Sequence, residues 1–275
     1  MIVPVFYGNQ YIPGIIQMMQ KNVENAKGLK IELVLVNDSP EIPLIKPEPE
    51  CAEFAVKIVE NNENQGILRS RSIGIMHSSG TYIVLLDQDD RLSDHALISQ
   101  YLRAEGVPKQ RALKKTAAVV ANGYIESRDG NLRKIFRTLK GMELINHKNF
   151  WFYYGSMIPS PGLCMIRRDC ISEIWMQARL ETGGADDWLL WVLFLSEGHF
   201  FLFNNECLYT HVKVERNTSD NESMMLASSL EALQIYEKYY PASEKLSSVY
   251  RRKLNVRKIS AGQGHWRKKI GRASC

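Results

Sequence analysis

Three carboxylates, Asp87, Asp89 and Asp90, directly follow an apolar segment at residues 82–86. An apolar segment of this length that ends in acids predicts a buried strand. Carboxylates spaced one residue apart at a strand end can direct their oxygens at one hard cation, which offsets their mutual repulsion. Because open α/β sheets bind ligands at the carboxyl ends of their strands, this position suits a metal and a phosphate. An ordinary acidic turn is the alternative interpretation of this segment alone.

The elements that must position these acids follow from hydrophobic periodicity and turn residues. Up to residue 105 the order is β-α-β-β-α-β-α, which predicts an α/β fold with a mostly parallel sheet. Ser93 is a suitable N-cap for the last of these helices. The predicted strands cover residues 2–6, 31–36, 56–59 and 82–86, and the predicted helices cover residues 12–28, 67–78 and 93–105.

The second half of the chain gives fewer signals. The turn sequence Arg-Asp-Gly-Asn at 128–131 predicts a hairpin. An aromatic-rich segment, residues 142–154, fits either a helix or a loop. The predicted strands here cover residues 117–125, 132–136 and 200–203, the predicted helices cover 186–196 and 223–239, and loops are predicted at 40–49 and 159–162.

The composition is that of a globular protein. The chain has 275 residues, of which 45% are hydrophobic and 24% charged, as expected for one sizeable domain or one domain with a tail. No apolar run approaches the roughly 20 residues that span a bilayer, and the strand-like amino terminus predicts no signal peptide. Five cysteines without a Cys-x-x-Cys pair favour reduced thiols and a cytoplasmic location.

Charge is distributed unevenly along the chain. Residues 245–275 contain ten Lys or Arg and no acid; the whole chain carries 35 − 30 = +5, so residues 1–244 carry 25 − 30 = −5. A basic tail on an acidic body predicts an electrostatic partner such as an anionic membrane surface, and Trp266 favours an interface. A solvated terminus is the alternative, and no recognition motif supports binding of nucleic acid.

Five sequence blocks carry a resemblance to a known family. They are Val-Pro-Val-Phe-Tyr at 3–7, Val-Leu-Val-Asn-Asp-Ser at 34–39, Asn-Gln-Gly-Ile-Leu-Arg-Ser-Arg-Ser-Ile-Gly-Ile at 64–75, Thr-Tyr-Ile-Val-Leu-Leu-Asp-Gln-Asp-Asp at 81–90 and Ala-Asp-Asp-Trp-Leu-Leu-Trp at 185–191. In this order they resemble the family 2 glycosyltransferases, which have a GT-A fold and mostly transfer sugars from nucleotide sugars with inversion.

The resemblance covers residues 2–219 and implies a division of the chain. A GT-A domain is expected at 1–220, with a nucleotide-binding half at 1–105 and an acceptor-binding half at 106–220. A C-terminal helix and basic tail would follow at 221–275. Family members usually carry two or three more residues before the first block, so the first strand is expected to be short.

In this resemblance the nucleotide base lies at the end of the first strand. Pro4, Val5 and Tyr7 are implied to line the base pocket, and Asp38 to accept a hydrogen bond from the base. The family usually has Asp where this chain has Asn37, so the base preference can differ. Asp38 also stands in Asp-Ser-Pro, which is by itself a turn signal.

The block at 64–75 implies a phosphate-binding start of a helix. Asn64, Gly66 and Arg71 match the family's Asn-x-Gly-x-x-x-Ala-Arg-Asn, with serines in place of its Ala and its last Asn. A glycine before a helix lets backbone amides approach an anion, which the helix amino terminus also favours. Arg71 can reach the diphosphate or the base with its planar donors, whereas Arg69 is predicted to be a surface charge.

The acidic block implies a cation site in this family. Asp87 is expected to contact the ribose, Gln88 to lie against the nucleotide, and Asp89 to bind the Mg²⁺ or Mn²⁺ that bridges the two phosphates. Asp90 is expected to support this site or to cap the following turn.

A distal element, Tyr-Thr-His at 209–211 followed by Asn217 and Ser219, resembles the family's Tyr-x-x-His and Asn-x-Ser. His211 is expected to complete the coordination of the metal or to contact a phosphate. A structural histidine after a strand is the alternative.

The pair Asp186-Asp187 implies the catalytic base. Inverting transfer needs one carboxylate to take the proton of the acceptor hydroxyl as its oxygen attacks the anomeric carbon. Asp187 is expected in that role with Asp186 in support, and the glycines at 183–184 can give a loop that closes on substrate. Two acids that complement a helix dipole are the alternative. Residues 160–168 are expected at the acceptor pocket.

The sequence therefore predicts an inverting hexosyltransferase that moves a sugar from a nucleotide diphosphate donor, a UDP-sugar, to a hydroxyl of a glycan or lipid-linked acceptor. The expected setting is surface polysaccharide assembly at the cytoplasmic face of the cell membrane. Two alternatives stay open. One is a catalytically inactive nucleotide-sugar-binding or scaffold protein. The other is a nucleotidyltransferase, for which the sequence has no Gly-rich loop containing Lys.

Overall fold

A computed structural model describes residues 1–45, 54–106, 117–214 and 221–257. Asn217, Ser219, Trp266 and part of the predicted loop 40–49 lie outside the described residues. The strands are β1 Ile2–Val5, β2 Glu32–Asn37, β3 Ala55–Glu60, β4 Tyr82–Ile83, β5 Arg91–Leu92, β6 Ala118–Glu126, β7 Leu132–Lys134, β8 Cys164–Arg167 and β9 Phe201–Val212. The helices are α1 Ile12–Asn25, α2 Gly66–His77, α3 Ala96–Glu105, α4 Leu139–Glu143, α5 Lys148–Tyr154, α6 Glu173–Gln177, α7 Asp186–Ser196, α8 Glu222–Tyr239 and α9 244–257.

The first sheet is parallel throughout, in the order β1-β2-β3. β1 and β2 are buried along nearly all their length, as their continuous apolar runs predict. α2 packs closely on β1, and a Cβ on Gly74 would lie only 2.3 Å from Cγ2 of Ile2, so this approach requires glycine. The register places Val5, Asn37 and Glu60 side by side. The loops that leave these strand ends therefore start from one edge of the sheet.

The predicted strand at 82–86 connects the two sheets instead of belonging to one. Its first two residues form β4, which pairs antiparallel with β8. Its later residues pair with β1: Ile2 donates its N–H to Val84 O at 2.9 Å, and Leu86 donates to Ile2 O at 3.0 Å. The acids at 87–90 therefore emerge beside the end of β1.

The second sheet has mixed pairing, in the order β4-β8-β6-β9-β5 with β7 beside β6. The predicted parallel arrangement holds for β1-β2-β3, for the bridge between Ile2 and Leu85 and for β6-β9, whereas the remaining strand pairs are antiparallel. The hairpin around 128–131 is confirmed as β6-β7. β9 continues to Val212, well beyond the predicted end at 203, because its backbone still pairs with β6 where polar residues interrupt the apolar pattern. This extension brings His211 beside β5, which directly follows the acids.

Helices α5, α7, α8 and α9 pack together behind the second sheet. The ambiguous segment 142–154 is helical in two short pieces, which are separated by a 3₁₀ turn and by the extended residue His147. α7 is buried on nearly all sides. Tyr250 of α9 stacks on Trp188 of α7, with ring centroids 4.5 Å apart and planes 11° from parallel. The described part of the basic tail is therefore a helix anchored to the core through Tyr250 and Leu254.

The N-cap predicted at Ser93 is wrong. α3 begins at Ala96, and the Ser93 hydroxyl is buried without a partner among the described residues. The side chain of Asn22 on α1 takes over this role, because its Oδ1 accepts from Leu97 N at 3.0 Å and its Nδ2 donates to Ser93 O at 2.9 Å. A neighbouring helix therefore satisfies amides that the local sequence was expected to satisfy.

The sequence predicts that no segment spans a membrane and that the cysteines are reduced. Within the ranges given above, no helix combines the length and the apolar character needed to cross a bilayer. Cys164, Cys170 and Cys207 are free thiols, while Cys51 and Cys275 lie outside the described residues. Burial raises the pKa of the Cys164 thiol, which makes it a poor nucleophile.

Candidate active site

Asp38 holds the amino end of α2. Its carboxylate is buried and accepts hydrogen bonds from Gln65 N at 2.7 Å, Gly66 N at 3.0 Å and Asn61 Nδ2 at 2.8 Å. The first amides of a helix lack partners within the helix, and negative charge is favourable there. The residue predicted to contact the base thus positions the helix that carries Arg71.

The predicted base pocket consists of one accessible ring above two buried side chains. Pro4 and Val5 are buried in β1, whereas Tyr7 is about half exposed. Tyr7 has a φ of 47°, which is rare for a residue with a side chain, and its N–H donates to Ser39 Oγ at 2.8 Å. Asn37 accepts from Ser39 N at 3.0 Å. The loops after β1 and β2 are therefore tied together, with the Tyr7 ring facing solvent.

Asn64 and Gly66 form the turn into α2. Gly66 has a φ of 76°, a conformation that favours glycine. Its N–H donates both to Asn64 Oδ1 and to Asp38, each at 3.0 Å. The amide expected to approach a phosphate is thus used within the protein.

Arg71 connects the two acidic segments. Its guanidinium is buried and donates to Asp186 through Nη1 and to Asp87 through Nη2. Burial alone would lower the pKa of Arg71, but the two carboxylates raise it above its ordinary value. The Nε atom is buried and has no partner among the described residues. Arg71, which is predicted to reach the diphosphate, therefore also bridges Asp87 and Asp186. Asp87 is the acid predicted to contact the ribose, and Asp186 lies at the start of α7.

Arg69 is not the surface charge that was predicted. It is half-buried, and its Nη1 donates to Met176 O at 3.1 Å, because α6 packs against this side of α2.

Asp87 and Gln88 are both fixed by neighbours from distant parts of the chain. The second carboxylate oxygen of Asp87 accepts from Ser160 Oγ at 3.0 Å. Gln88 accepts from Phe6 N at 3.0 Å and donates to Phe6 O at 3.1 Å. A Cβ on Gly8 would lie 2.0 Å from Gln88 Oε1, so glycine allows this pairing. Gln88 therefore fastens the loop after β1 to the acidic loop.

Asp89, Asp90 and His211 form the part of the site suited to a cation. Asp90 is buried and accepts from Val212 N at 2.9 Å and from the Tyr209 hydroxyl. His211 Nδ1 lies 3.1 Å from Asp90 Oδ1, and this hydrogen bond raises the pKa of His211. A histidine held in this way through Nδ1 keeps Nε2 for a metal.

Asp89 meets the electrostatic requirement for a cation. Burial, followed by the negative charges of Asp90 and Asp87, raises its pKa to about 6. None of the other described residues donates a hydrogen bond to its carboxylate. A divalent cation would offset this repulsion, so Asp89 and His211 fit a metal as two of its ligands. No group of three or more such side chains within the described ranges is arranged to hold a metal, so phosphates or water would supply the other ligands.

Asp187 lies at the wall of a cavity of about 470 Å³, at the start of α7. Its Oδ2 accepts from Ser156 Oγ at 3.0 Å, and its Oδ1 accepts from Trp188 N at 2.6 Å. Burial, followed by repulsion from Asp186, raises the pKa of Asp187 to about 7. A carboxylate with this pKa suits a general base at neutral pH.

The sequence predicted the acids but missed their partners. Ser156, which bonds to Asp187, comes from a segment without a local motif. Ser160 lies in the segment 160–168 that was expected at the acceptor pocket, but it bonds to Asp87. Two cations of α9, Lys253 and Arg257, line the cavity of Asp187. The excess of basic residues after 245 is the one sequence signal for Lys253 and Arg257. It predicts a basic tail and does not indicate a helix that lines a cavity.

Solved structures of glycosyltransferases resemble this arrangement of sheets and helices. The structure of S. aureus TarS 1–349 in complex with UDP-GlcNAc matches with a TM-score of 0.57 and 14% identity, covering 86% of this chain and 70% of that one. The mannosyltransferase PcManGT from Pyrobaculum calidifontis, in complex with GDP-Man and Mn²⁺, matches with a TM-score of 0.52 and 12% identity, covering 96% and 78%. These likenesses show that the fold is GT-A.

Sequence comparison assigns the family. No curated protein matches the chain. The family model described as Glycosyl transferase family 2 matches residues 1–175, which is more than half of the chain. The match includes Arg71 and the acids at 87–90, while Asp187 and His211 follow it. The chain belongs to glycosyl transferase family 2.

Proposed function

We propose that the protein transfers a hexose from a UDP-sugar to a hydroxyl of a glycan or lipid-linked acceptor, with inversion at the anomeric carbon. The observation that carries this proposal is that Arg71 joins Asp87 to Asp186, the residue next to Asp187 in the chain. The link ties a carboxylate with a near-neutral pKa to the acidic loop of a family whose members use nucleotide sugars.

In the proposed reaction Asp187 is the general base. Its carboxylate takes the proton of the acceptor hydroxyl while that oxygen forms a bond to the anomeric carbon. The bond from the anomeric carbon to the β-phosphate oxygen breaks, and its electron pair leaves with the nucleoside diphosphate. Ser156 and the amide of Trp188 orient the carboxylate, so that the base starts close to its productive position.

The residues after β1 and β4 are proposed to hold the donor. Tyr7 offers a ring face to the base, and Asp87 accepts from the ribose while Arg71 and Ser160 fix its orientation. Asp89 and His211 would hold Mg²⁺ or Mn²⁺. Such an ion, when bound, neutralises charge on the departing diphosphate.

The proposal also assigns the donor and the acceptor to different parts of the chain and gives the protein a cellular location. Residues 1–105 would serve the donor with the help of Ser160 and His211, and the rest of residues 106–220 would serve the acceptor together with α8 and α9. The setting is surface polysaccharide assembly at the inner face of the cell membrane, where the basic segment 245–275 would contact anionic lipid. The neighbours in complex with UDP-GlcNAc and GDP-Man support a nucleotide-sugar donor.

The first test is a calorimetric titration of UDP, GDP, CDP and dTDP, with and without Mn²⁺. We expect metal-dependent binding of UDP, which Asp89→Ala abolishes because it removes one of the two proposed ligands. Asp94→Ala is the matched control, since Asp94 is an exposed acid paired with Lys21. If none of the four nucleotides binds, the transferase proposal fails. If another nucleotide binds, the UDP assignment fails.

Asp90→Asn should weaken the site without removing a ligand. An amide in place of the carboxylate no longer holds His211 in one orientation, and loss of such a supporting group typically lowers metal affinity 10–100-fold. We expect a weakening of about this size for Mn²⁺ in the presence of UDP, measured by calorimetry. An unchanged affinity for Mn²⁺ would mean that His211 has only a structural role.

A further inference from the structure

The cavity of Asp187 adjoins a second cavity on the outer side of α9. The inner cavity, of about 470 Å³, contains Asp187, and the outer cavity has about 590 Å³. Tyr154, Lys253 and Arg257 line both of them. A ligand can therefore extend from Asp187 past these three side chains into the outer cavity.

The junction between the cavities carries uncompensated positive charge. Lys253 donates one N–H to Tyr153 O at 2.8 Å, and an ammonium group has two more to offer. Burial, followed by the charge of Arg257, lowers the pKa of Lys253, so the two cations repel each other. Within the described part of the chain no acid forms an ion pair with either of them, although Glu222 also lines the inner cavity. An anion between the two cations would be bound favourably.

The outer cavity combines this charge with apolar surface. Its lining on α9 comes from five residues that recur at the spacing of one helical face: Val249, Arg252, Lys253, Val256 and Arg257. The two valines are exposed, as is the ring of Tyr154 opposite them. Exposed apolar side chains next to cations that no acid of the described residues pairs with fit a ligand that is both anionic and apolar.

We propose that the acceptor is an amphiphilic phosphate ester whose phosphate binds between Lys253 and Arg257. Its hydroxyl-bearing part would occupy the inner cavity at Asp187, and its apolar part would lie along Tyr154, Val249 and Val256. Arg257 can pair with two phosphate oxygens at once, and Lys253 adds a point charge. This inference rests on the proposed function, because it takes the inner cavity as the acceptor site.

The test uses octyl phosphate as a probe, titrated calorimetrically into the intact protein below the concentration at which micelles form. Octyl glucoside has the same chain without charge, and inorganic phosphate has the charge without the chain. We expect octyl phosphate to bind at least about tenfold more tightly than either. The double variant Lys253→Met with Arg257→Met should lose this preference. Lys245→Met is the matched control, since it removes a charge from the same helix outside both cavities.

Three results would overturn the proposal. If octyl glucoside binds as tightly as octyl phosphate, the two cations do not form an anion site. If inorganic phosphate binds as tightly as octyl phosphate, the apolar side chains do not contribute to binding. Binding to vesicles of phosphatidylglycerol without binding of octyl phosphate would identify α9 as a membrane contact. If the double variant does not fold, Arg257→Met alone serves as the test, because Arg257 is exposed and unpaired among the described residues.

The nucleotide titration distinguishes this inference from the proposed function. Binding of UDP without a preference for octyl phosphate would leave the transferase in place and remove the amphiphilic acceptor. A preference for octyl phosphate in a protein that binds no nucleotide would keep the anion site but remove its role in sugar transfer.

Discussion

Asp187→Asn is expected to lower the turnover of sugar transfer by about 10²- to 10⁴-fold, the usual contribution of a positioned general base. The amide can still accept from Ser156, but it cannot take a proton from the acceptor hydroxyl. Binding of UDP should be retained, because Asp187 lines the inner cavity, which is proposed to bind the acceptor and not the nucleotide. Release of nucleotide in a steady-state transfer assay, together with calorimetric titration of UDP, measures both effects. Full activity in this variant would remove Asp187 from the mechanism.

The pH dependence of the unmodified protein checks the same assignment. Because burial raises the pKa of Asp187 to about 7, kcat/KM should rise from pH 5 to pH 8 as its carboxyl group loses a proton. Asp187→Asn should remove the part of the rise that is centred near pH 7, whereas a rise near pH 6 from Asp89, the proposed metal ligand, would persist in the residual activity. A catalytically inactive binding protein would bind UDP with no such activity at any pH.

Stability should change in the opposite direction. The pKa of Asp187 is raised from 3.8 to about 7 in the folded state, so the folded protein binds more protons than the unfolded chain between these values. The contribution of Asp187 to stability therefore falls as the pH rises through this window. Asp187→Asn should melt at a higher temperature than the unmodified protein at pH 8, and this difference should shrink at pH 5. A lower melting temperature at pH 8 would contradict the raised pKa.

Arg71→Met is expected to lower the free energy of unfolding by about 3–5 kcal/mol. It leaves Asp186 buried without its partner, and a buried charge left uncompensated costs about that much. Arg71→Lys should recover only part of the loss, because one ammonium group cannot reproduce a planar fork that binds two carboxylates. Unfolding in urea, followed by circular dichroism, measures these changes.

Replacing Asp87 and Asp186 by asparagine shows whether Arg71→Met destabilises the fold through unpaired charge or through lost packing. Adding Asp87→Asn and Asp186→Asn to Arg71→Met should restore stability, since no unpaired charge then remains at the bridge. Arg91→Met is the control: its pair with Glu126 is largely exposed, and such pairs contribute at most about 1 kcal/mol. If Arg71→Met behaves like this control, the bridge does not stabilise the fold.

The parallel half of the fold could be predicted because its signals are local. β1 and β2 are continuous apolar runs, and the glycine at 66 and apolar residues of α2 mark a helix in sequence. The second sheet was predicted incompletely, since a strand such as β9 contains polar residues where it lies at the surface. Its length is determined by pairing with β6, and no pattern within β9 itself carries that information.

The contrast between local signals and long-range pairing also explains which residues of the candidate site could be predicted. Asp89 and Asp187 stand in recognisable blocks, so their positions could be proposed from the sequence. The partners of Arg71 lie 16 and 115 positions away, and Gln88 pairs with a backbone 82 positions away. Such contacts depend on how the two sheets and α7 pack, and single-residue signals do not encode them.

Because Tyr250 of α9 stacks on Trp188 of α7, this packing can form only after α9 has been synthesised. Translation runs from the amino terminus, and the donor loops at 4–8 and 87–90 leave the ribosome long before α9 does. A nascent chain can therefore have its proposed donor loops in place while one wall of the inner cavity is still being made. Until α9 docks, the inner cavity lacks the wall that Tyr250, Lys253 and Arg257 provide beside Asp187. In the proposed reaction, the chain would therefore become able to select an acceptor over solvent only once α9 has been made and has docked.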